Sequence, residues 1–406
     1  MDAAGKSPEP APPPTASAAA ISAVLSDGDL LREILLCLGF PSYLVRAALV
    51  SKHWLRHASD PSFLRRFRER HPPRLLGFYC CPEIRGLHFV PMPQPPELAS
   101  VVRRGRFEVG HDPTFVSDCR NGRLVVAKGN SRSNFALFSP LHPARGTTAL
   151  PRLQIPVAAT RGECESYWYS RCVLLPEDGG DGMSCTAVTL MSTDRGAWVH
   201  LSDLQAGVWG EGRSSDSIEL PQRLTRCLRL LLAYGKLYIM CMARYILCLD
   251  LLFMSLFCIK LPDGVECDYD TNLGLSRAEG PGFCLIHVKG FQIRVWWCYS
   301  TDSSSSTGEW KLVDTICLHQ AFGHLAEYNW QPGDALVHVA AVGDNADFVF
   351  LRIEHEIFYC HVFSRAVEKV YELNPNRLVI LHAVHPLMTV WPPIFPALND
   401  ERDQDE

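Results

Sequence analysis

The first part of the chain carries apolar residues at helical spacing. It begins with a Pro/Ala/Ser-rich segment, residues 1–20, that we expect to be a disordered tail. The apolar positions then recur about one helical turn apart, at Leu30, Leu31, Ile34, Leu35 and Leu38. Ser26 with Asp29 resembles a capping box, and Gly39 followed by Pro41 is typical of a helix end. These signals predict a first helix.

Two further helices are predicted after it. Ser42 is placed to cap the second helix. Its apolar positions are Leu44, Ala47, Ala48 and Leu55, with Val50 and Trp54 beside them. Asp60 followed by Pro61 predicts the start of the third, because Asp is a good N-cap and Pro is favoured in the first turn. We assign 21–73 to a small three-helix domain.

The first of these helices is too apolar for its size. A domain of about fifty residues has a marginal core. Two short neighbours leave part of a stripe as wide as that of the first helix uncovered. Either a partner protein or the rest of the same chain covers it, and the pattern alone does not decide between them.

The pattern of apolar and polar residues changes after residue 73. Short runs of aliphatic and aromatic residues follow turns rich in Gly, Asn and Asp, which is the pattern of strands. Such runs begin at Asn121, Tyr169, Tyr234, Gly280 and Asp344, about 46 to 65 residues apart. This spacing is close to one four-stranded propeller blade. We therefore predict a large all-β domain at 74–396, an irregular β-propeller, followed by an acidic disordered tail at 397–406.

Composition narrows the class of protein. The formal net charge is −5, and Asn399 to Glu406 carry most of it, so the basic footprint of a nucleic-acid binder is missing. The sixteen cysteines are scattered and many lie in apolar runs, as reduced, buried thiols do. Charged residues interrupt the most apolar stretch, 228–261, and the N-terminus lacks a signal-peptide pattern. We expect a protein of the cytoplasm or nucleus that binds neither nucleic acid nor membrane.

The sequence offers little chemistry. The common phosphate-binding, zinc-protease and hydrolase motifs do not occur. His53 and His57 lie one helical turn apart, but no further ligand accompanies them, so a solvated helix face explains them better than a metal site. Cys80 and Cys81 are read as reduced thiols. We expect no catalytic, metal or cofactor site and a chain that is not an enzyme.

The helical segment resembles the F-box motif. The resemblance lies in Leu25-Ser26-Asp27-Gly28-Asp29-Leu30-Leu31-Arg32-Glu33-Ile34-Leu35 and in Leu44-Val45-Arg46-Ala47-Ala48-Leu49-Val50-Ser51-Lys52-His53-Trp54. The chain departs from the family at Ser26, where proline is usual. The resemblance continues through Asp60-Pro61 and Arg74-Leu75-Leu76-Gly77-Phe78-Tyr79, which look like segments of grass F-box proteins.

This resemblance implies a partner for the apolar stripe, namely the Skp adaptor of a Skp-cullin-F-box ubiquitin ligase. Carried over by position, the adaptor-binding residues are Leu25, Leu30, Leu31, Ile34, Leu35, Leu38, Leu44, Ala48, Val50 and Trp54. For each of them, a place in the internal core of the three-helix domain is the alternative.

Segments of the β region are similar to the F-box-associated region of the same plant proteins. They include Asp118-Cys119-Arg120-Asn121-Gly122, Gly235-Lys236-Leu237-Tyr238 and Ala341-Val342-Gly343-Asp344. The resemblance implies a substrate-recognition subunit that holds the ligase through the F-box and an unknown target protein through the β domain. The alternatives are an interaction scaffold outside any ligase and an enzyme built on the propeller.

Overall fold

The structure is a computed structural model that forms two compact units. It describes residues 16–80, 87–109, 114–128, 134–142, 144, 146–153, 167–176, 183–224, 227–241, 243–267, 272–278, 280–300, 308–322, 336–374, 384–391, 393 and 395. The helical unit combines the chain up to Arg74 with the chain from Thr389 onward, and the β unit is Leu75–Met388. In the part described, no helix has the length and apolar character needed to cross a membrane.

Among its described residues, the helical unit contains five helices where the sequence predicts three. They are α1 (Ala16–Ser26), α2 (Gly28–Leu36), α3 (Pro41–Ala48), α4 (Lys52–Ala58) and α5 (Pro61–Arg70). The additional helix α1 lies partly in the segment that we expected to be a disordered tail, and residues 1–15 of that tail lie outside the described part. Ile21, Val24 and Leu25 follow the i, i+3, i+4 spacing of a helix, which the Ala-rich composition obscures.

The ends of the helices differ in detail from the prediction. Asp27, not Ser26, caps α2, because its carboxylate accepts hydrogen bonds from the backbone N–H groups of Asp29 and Leu30. The predicted second helix is split into α3 and α4, since Ser51 has an extended backbone and accepts from the N–H of Trp54. The predicted start of α5 is confirmed, with Asp60 as N-cap and Pro61 in the first turn.

The C-terminal segment completes the helical unit. Trp391 stacks on Phe67, with ring centroids 6.0 Å apart and planes 5° from parallel. The backbone N–H of Thr389 donates to the carbonyl of Arg74, and the N–H of Arg74 donates to Thr389 Oγ1. Phe395 packs against the same helical core. The compact β unit therefore ends before the predicted boundary at residue 396.

The β unit is a six-bladed propeller, which confirms the predicted fold class. Each blade is given from its inner strand outward: the first is β3 (Thr114–Arg120), β4 (Arg123–Lys128), β5 (Phe135–Phe138) and β6 (Thr147–Ala149), and the second is β7 (Tyr167–Pro176), β8 (Met183–Ser192), β9 (Gly196–Gln205) and the short β10 (Val208–Trp209), β11 (Arg213–Ser214) and β12 (Ile218–Glu219). The third is β13 (Cys227–Ala233), β14 (Lys236–Cys241), β15 (Tyr245–Asp250) and β16 (Ser255–Lys260), and the fourth is β17 (Leu273–Arg277), β18 (Phe283–Lys289), β19 (Gln292–Ser300) and β20 (Glu309–Cys317). The fifth is β21 (Val337–Val342), β22 (Phe348–Ile353), β23 (Glu356–His361) and β24 (Val367–Glu372), and the sixth is β25 (Val384–Met388), β1 (Leu75–Cys80) and β2 (His88–Pro91).

The two ends of the β unit meet in one blade. Strand β1 lies between β2 and β25 and is antiparallel to both, with Phe78 opposite Val90 on one side and opposite Pro386 on the other. Helix α6 (Pro96–Arg104) follows β2, and the single helical turn Leu318–Ala321 follows β20. Because N-terminal and C-terminal strands share a sheet, the ring is closed by backbone hydrogen bonds.

The core of the β unit lies between neighbouring blades. Six buried apolar clusters fill the six interfaces of the ring. Strands are therefore covered on both faces, as in β15, where Tyr245 to Leu249 are all buried. This explains why such strands are continuous apolar runs instead of alternating patterns. The cysteines whose side chains the structure describes are free thiols, Cys80 among them.

The recurring turn signal marks a fixed place in the blades. Asn121-Gly122 and Tyr234-Gly235 join the inner strand to the second strand of their blades, with left-handed backbone at both residues. The signals at Gly280 and Asp344 lie in the corresponding loops, whereas Tyr169 lies within an inner strand. The spacing of these signals therefore approximates the length of one blade. The exception is Tyr169, which lies in an inner strand and not in the loop that follows one.

Candidate functional site

Helix α2 presents two different apolar faces. Leu31 and Leu35 are completely buried in the core of the helical unit, where α3, α4 and α5 cover them. Leu30 and Ile34 lie on an adjacent face and keep 47% and 40% of their surface exposed. Residues four positions apart on a helix are neighbours, so Leu30 and Ile34 form one continuous apolar surface. The wide stripe is thus half core and half open surface.

The structure sorts the ten predicted adaptor-binding residues into three groups. Buried in the internal core are Leu31, Leu35, Leu44 and Ala48. Half-buried are Leu25, Leu38 and Trp54. Exposed are Leu30, Ile34 and Val50. For the four core residues the structure favours the alternative, a place in the internal core, because a side chain with almost no accessible surface contacts a partner only if the helices separate. Adaptor binding by the other six stays a prediction.

Sequence reasoning missed three other exposed apolar side chains of the helical unit. Ile21 and Val24 lie one turn apart on α1, and Leu49 follows the C-terminus of α3. Leu49 is as exposed as its neighbour Val50, at 65% each. The i, i+3 spacing in α1 was available in the sequence. The exposure of Leu49 was not, because it depends on where α3 ends.

Polar contacts fix the orientation of α2. Arg32 Nε donates to Nδ1 of His57 on α4 at 3.2 Å, and Arg66 on α5 pairs with Glu33 at 2.9 Å. At the C-terminal end of α2, His71 Nε2 lies 2.8 Å from the carbonyl oxygen of Leu36. These contacts hold α2 at its middle and at its C-terminal end and leave the face with Leu30 and Ile34 open.

Gly28 allows the close approach of α2 and α4. A Cβ at this position would lie 2.8 Å from the ring of His57. His57 is packed edge-on against His53, with ring centroids 4.6 Å apart. Burial, followed by the charges of His53 and Arg32, lowers the pKa of His57. The neutral imidazole is the form that accepts from Arg32, so the pair of histidines is explained by packing.

The β unit exposes large apolar side chains on turns at one end of its blades. Leu252 and Phe253, in the turn between β15 and β16, keep 79% and 75% of their surface, and Phe363 in the β23–β24 turn keeps 69%. Asp250 accepts hydrogen bonds from the backbone N–H groups of Leu252 and Phe253, so the first turn is held in shape. Within the described part, no three His, Cys, Asp or Glu side chains are grouped to hold a metal ion.

Two family matches cover both units. Residues 28–66 match the F-box domain, from the start of α2 into α5. Residues 115–395 match the family described as F-box protein AT5G49610-like, beta-propeller. The chain belongs to the AT5G49610-like F-box β-propeller family. The F-box match begins after Leu25 and α1, so the exposed residues of α1 lie outside it.

Two other comparisons add no functional argument. None of the curated proteins matches the chain. Among solved structures, the chain is similar to the β-propeller domain of Myceliophteria thermophila Cps50 (Swd1), at 9% identity and a TM-score of 0.37. That similarity covers 71% of this chain and 98% of the other.

Proposed function

We propose that this chain is the substrate-recognition subunit of a plant, grass-type Skp-cullin-F-box ubiquitin ligase. Its F-box would bind a Skp-type adaptor, and its propeller would bind a target protein. The observation that supports this is the open apolar face of α2, Leu30 and Ile34, inside a chain of the F-box β-propeller family. A fixed, solvent-facing apolar surface gains free energy when a partner covers it.

In this proposal the chain catalyses nothing itself. Its contribution is to hold a target lysine at high effective concentration near the ubiquitin-charged enzyme. Residues that matter are therefore at interfaces: Leu30, Ile34 and Val50 from the predicted set, with Ile21, Val24 and Leu49 as further contacts. The free thiols of the described residues support a place in the reducing cytoplasm or nucleus.

The test is binding of the full chain to a purified Skp-type adaptor. The double variant Leu30→Asp/Ile34→Asp places two charges on an exposed face, so the fold is expected to survive. Burying two half-exposed aliphatic side chains contributes roughly 1.5–3 kcal/mol to binding. We expect affinity for the adaptor to fall at least about tenfold.

A matched control carries the same chemistry on the other unit. The variant Leu252→Asp/Phe253→Asp also adds two charges to an exposed apolar pair, and we expect unchanged adaptor binding. Wild-type affinity in a folded Leu30→Asp/Ile34→Asp chain would remove the basis of the proposal. Ubiquitin transfer reconstituted with the cullin core then separates a ligase subunit from a scaffold, which binds the adaptor without promoting transfer.

A further inference from the structure

Two arginines and one histidine lie on the inner strands around the centre of the propeller ring. The six inner strands follow the order β3, β7, β13, β17, β21 and β25 around the ring. Arg171 lies on β7, Arg229 on β13 and His385 on β25. Strands β13 and β25 are opposite each other in this order. The ring neighbours of β25 are β21 and β3. Arg229 donates to carbonyls of β21 and Arg171 to a carbonyl of β3, so both guanidinium groups reach the strands that flank β25 and His385, and the charges of both act on His385.

Arg229 crosses the ring. Its Nη1 donates to the carbonyl of Ala340 at 3.1 Å, and its Nη2 donates to the carbonyl of Val339. Both carbonyls are on β21, which is separated from β13 by β17, so the side chain extends into the interior to reach them. Burial lowers the pKa of Arg229 to about 10, which leaves the guanidinium charged at neutral pH.

Arg171 is held over aromatic rings. Its Nε donates to the hydroxyl oxygen of Tyr169, and its Nη1 donates to the carbonyl of Val116 at 3.0 Å. The guanidinium carbon lies 4.9 Å from the ring centroid of Phe115 and 5.3 Å from that of Tyr169. These contacts fix the guanidinium and use two of its five N–H groups. Nη2 has no hydrogen-bond partner among the described residues.

Neither arginine has a carboxylate partner in the part of the chain that the structure describes. The ion pairs there involve other side chains, for example Arg213 with Asp203 and Arg365 with Asp314. Both arginines are half-buried, and backbone carbonyls and aromatic faces offset only part of the cost of withdrawing a guanidinium from water. Two confined cations without a counter-charge are the arrangement that an anion completes.

His385 adds a donor of different character. Burial, followed by the charges of Arg171 and Arg229, lowers its pKa to about 3, so the ring is neutral at pH 7. A neutral imidazole retains one N–H group. It can therefore donate a hydrogen bond to an oxyanion without adding a third charge to the cluster.

We propose that the centre of the ring binds an oxyanion, a phosphate or carboxylate group, with Arg171 and Arg229 supplying charge and His385 a hydrogen bond. The oxyanion is either carried by a side chain of a bound protein or is a free small molecule, and both present the same chemistry to the site. The inference concerns the β unit alone and holds whether or not the helical unit binds an adaptor.

The test is calorimetric titration of the full chain with inorganic phosphate, against sodium chloride at the same ionic strength. We expect saturable binding of one phosphate per chain. In Arg171→Gln, which removes one charge and its donors, affinity for phosphate is expected to fall at least about tenfold. The control Arg244→Gln changes an arginine whose side chain is 76% exposed, on the β14–β15 turn, and is expected to bind phosphate like the wild type.

A second variant covers the case in which Arg171→Gln fails to fold. Arg171→Lys keeps the charge but loses the planar fork, so we expect a chain that folds and binds phosphate several-fold more weakly. The proposal is overturned if the wild type shows no saturable phosphate binding, if chloride produces the same signal, or if the folded Arg171 variants bind phosphate as tightly as the wild type does.

Peptides distinguish the two sources of the anion. A short peptide with one phosphoserine is compared with its unphosphorylated form and with inorganic phosphate. Tighter binding of the phosphopeptide than of inorganic phosphate would assign the site to a protein-borne group, and weaker binding to a free anion. Adaptor binding by Arg171→Gln is expected to equal that of the wild type. A negative result for phosphate binding is therefore distinguishable from a negative result for the proposed ligase function.

Discussion

The C-terminal segment should stabilise the helical unit from the far end of the chain. Trp391 is half-buried and lies flat on Phe67, which is completely buried at the centre of α5. Replacing a fully buried Trp by Ala costs about 3–5 kcal/mol, and aromatic stacking alone contributes about 0.5–1.5 kcal/mol. For a half-buried ring we expect Trp391→Ala to destabilise the helical unit by about 2 kcal/mol.

Hydrogen exchange of the full chain measures this locally. If α5 exchanges through opening of the helical unit, amides of Pro61–Arg70 should exchange about 30-fold faster in Trp391→Ala. Trp391→Phe keeps the stacking, so its α5 amides should exchange at a rate between those of the wild type and Trp391→Ala. The matched control Trp198→Ala removes a half-buried Trp from β9 and should leave α5 unchanged.

Exchange of α5 at the wild-type rate in Trp391→Ala would show that Trp391 does not stabilise the helical unit. Equal acceleration of α5 by Trp198→Ala would contradict the prediction too, because the effect would then reflect general destabilisation and not the contact with Phe67. A confirmed effect would mean that truncation after the β unit removes part of the F-box core.

Three further predictions concern the β unit. Ser276 Oγ donates to the carbonyl of Gly343 and accepts from the N–H of Ala346 at 2.9 Å, so Ser276→Ala leaves two buried groups unpaired and should cost about 1–3 kcal/mol in urea unfolding, whereas an unchanged midpoint would contradict this. The buried hydroxyl of Tyr79 has no hydrogen-bond partner among the described residues, so Tyr79→Phe should leave the unfolding free energy unchanged or raise it by up to about 1 kcal/mol, and a clear loss would show a missed hydrogen bond. Burial raises the thiol pKa of both Cys284 and Cys360 to about 11, above the usual value of 9. The stability that these protonated thiols contribute to the folded state is therefore fully present below pH 9 and is lost as pH rises to 11. The melting temperature should therefore fall over that range, and less steeply in Cys360→Ala.

The sequence predicted the two kinds of structure in this chain because each has a local cause. Helical spacing and the Asp60-Pro61 start are properties of neighbouring residues, as are the turns that precede β-strands. Blade number was not predictable, because the sixth blade is assembled from β25, β1 and β2 at opposite ends of the β unit. The signal at Tyr169 was out of phase for a related reason, since similar apolar runs occur in inner and second strands.

The candidate site also combines features that the sequence shows locally with features that depend on tertiary structure. The apolar stripe of α2 was visible in the sequence, and its excess width correctly indicated that part of it stays open. Which half stays open depends on where α3, α4 and α5 lie, and local pattern does not encode that. Helical spacing cannot separate Leu30 from Leu31, yet one is 47% exposed and the other is completely buried.

The sequence by itself therefore determined the helical character of the first region, the β character of the second, and their resemblance to an F-box and a propeller. Tertiary structure alone decided which apolar residues face solvent, that Trp391 belongs to the helical core, and that Arg171 and Arg229 reach the strands on either side of His385. The physical reason is separation along the chain. Secondary structure follows from contacts within a few residues, whereas these three outcomes join residues that are distant in sequence and become neighbours only when the chain folds.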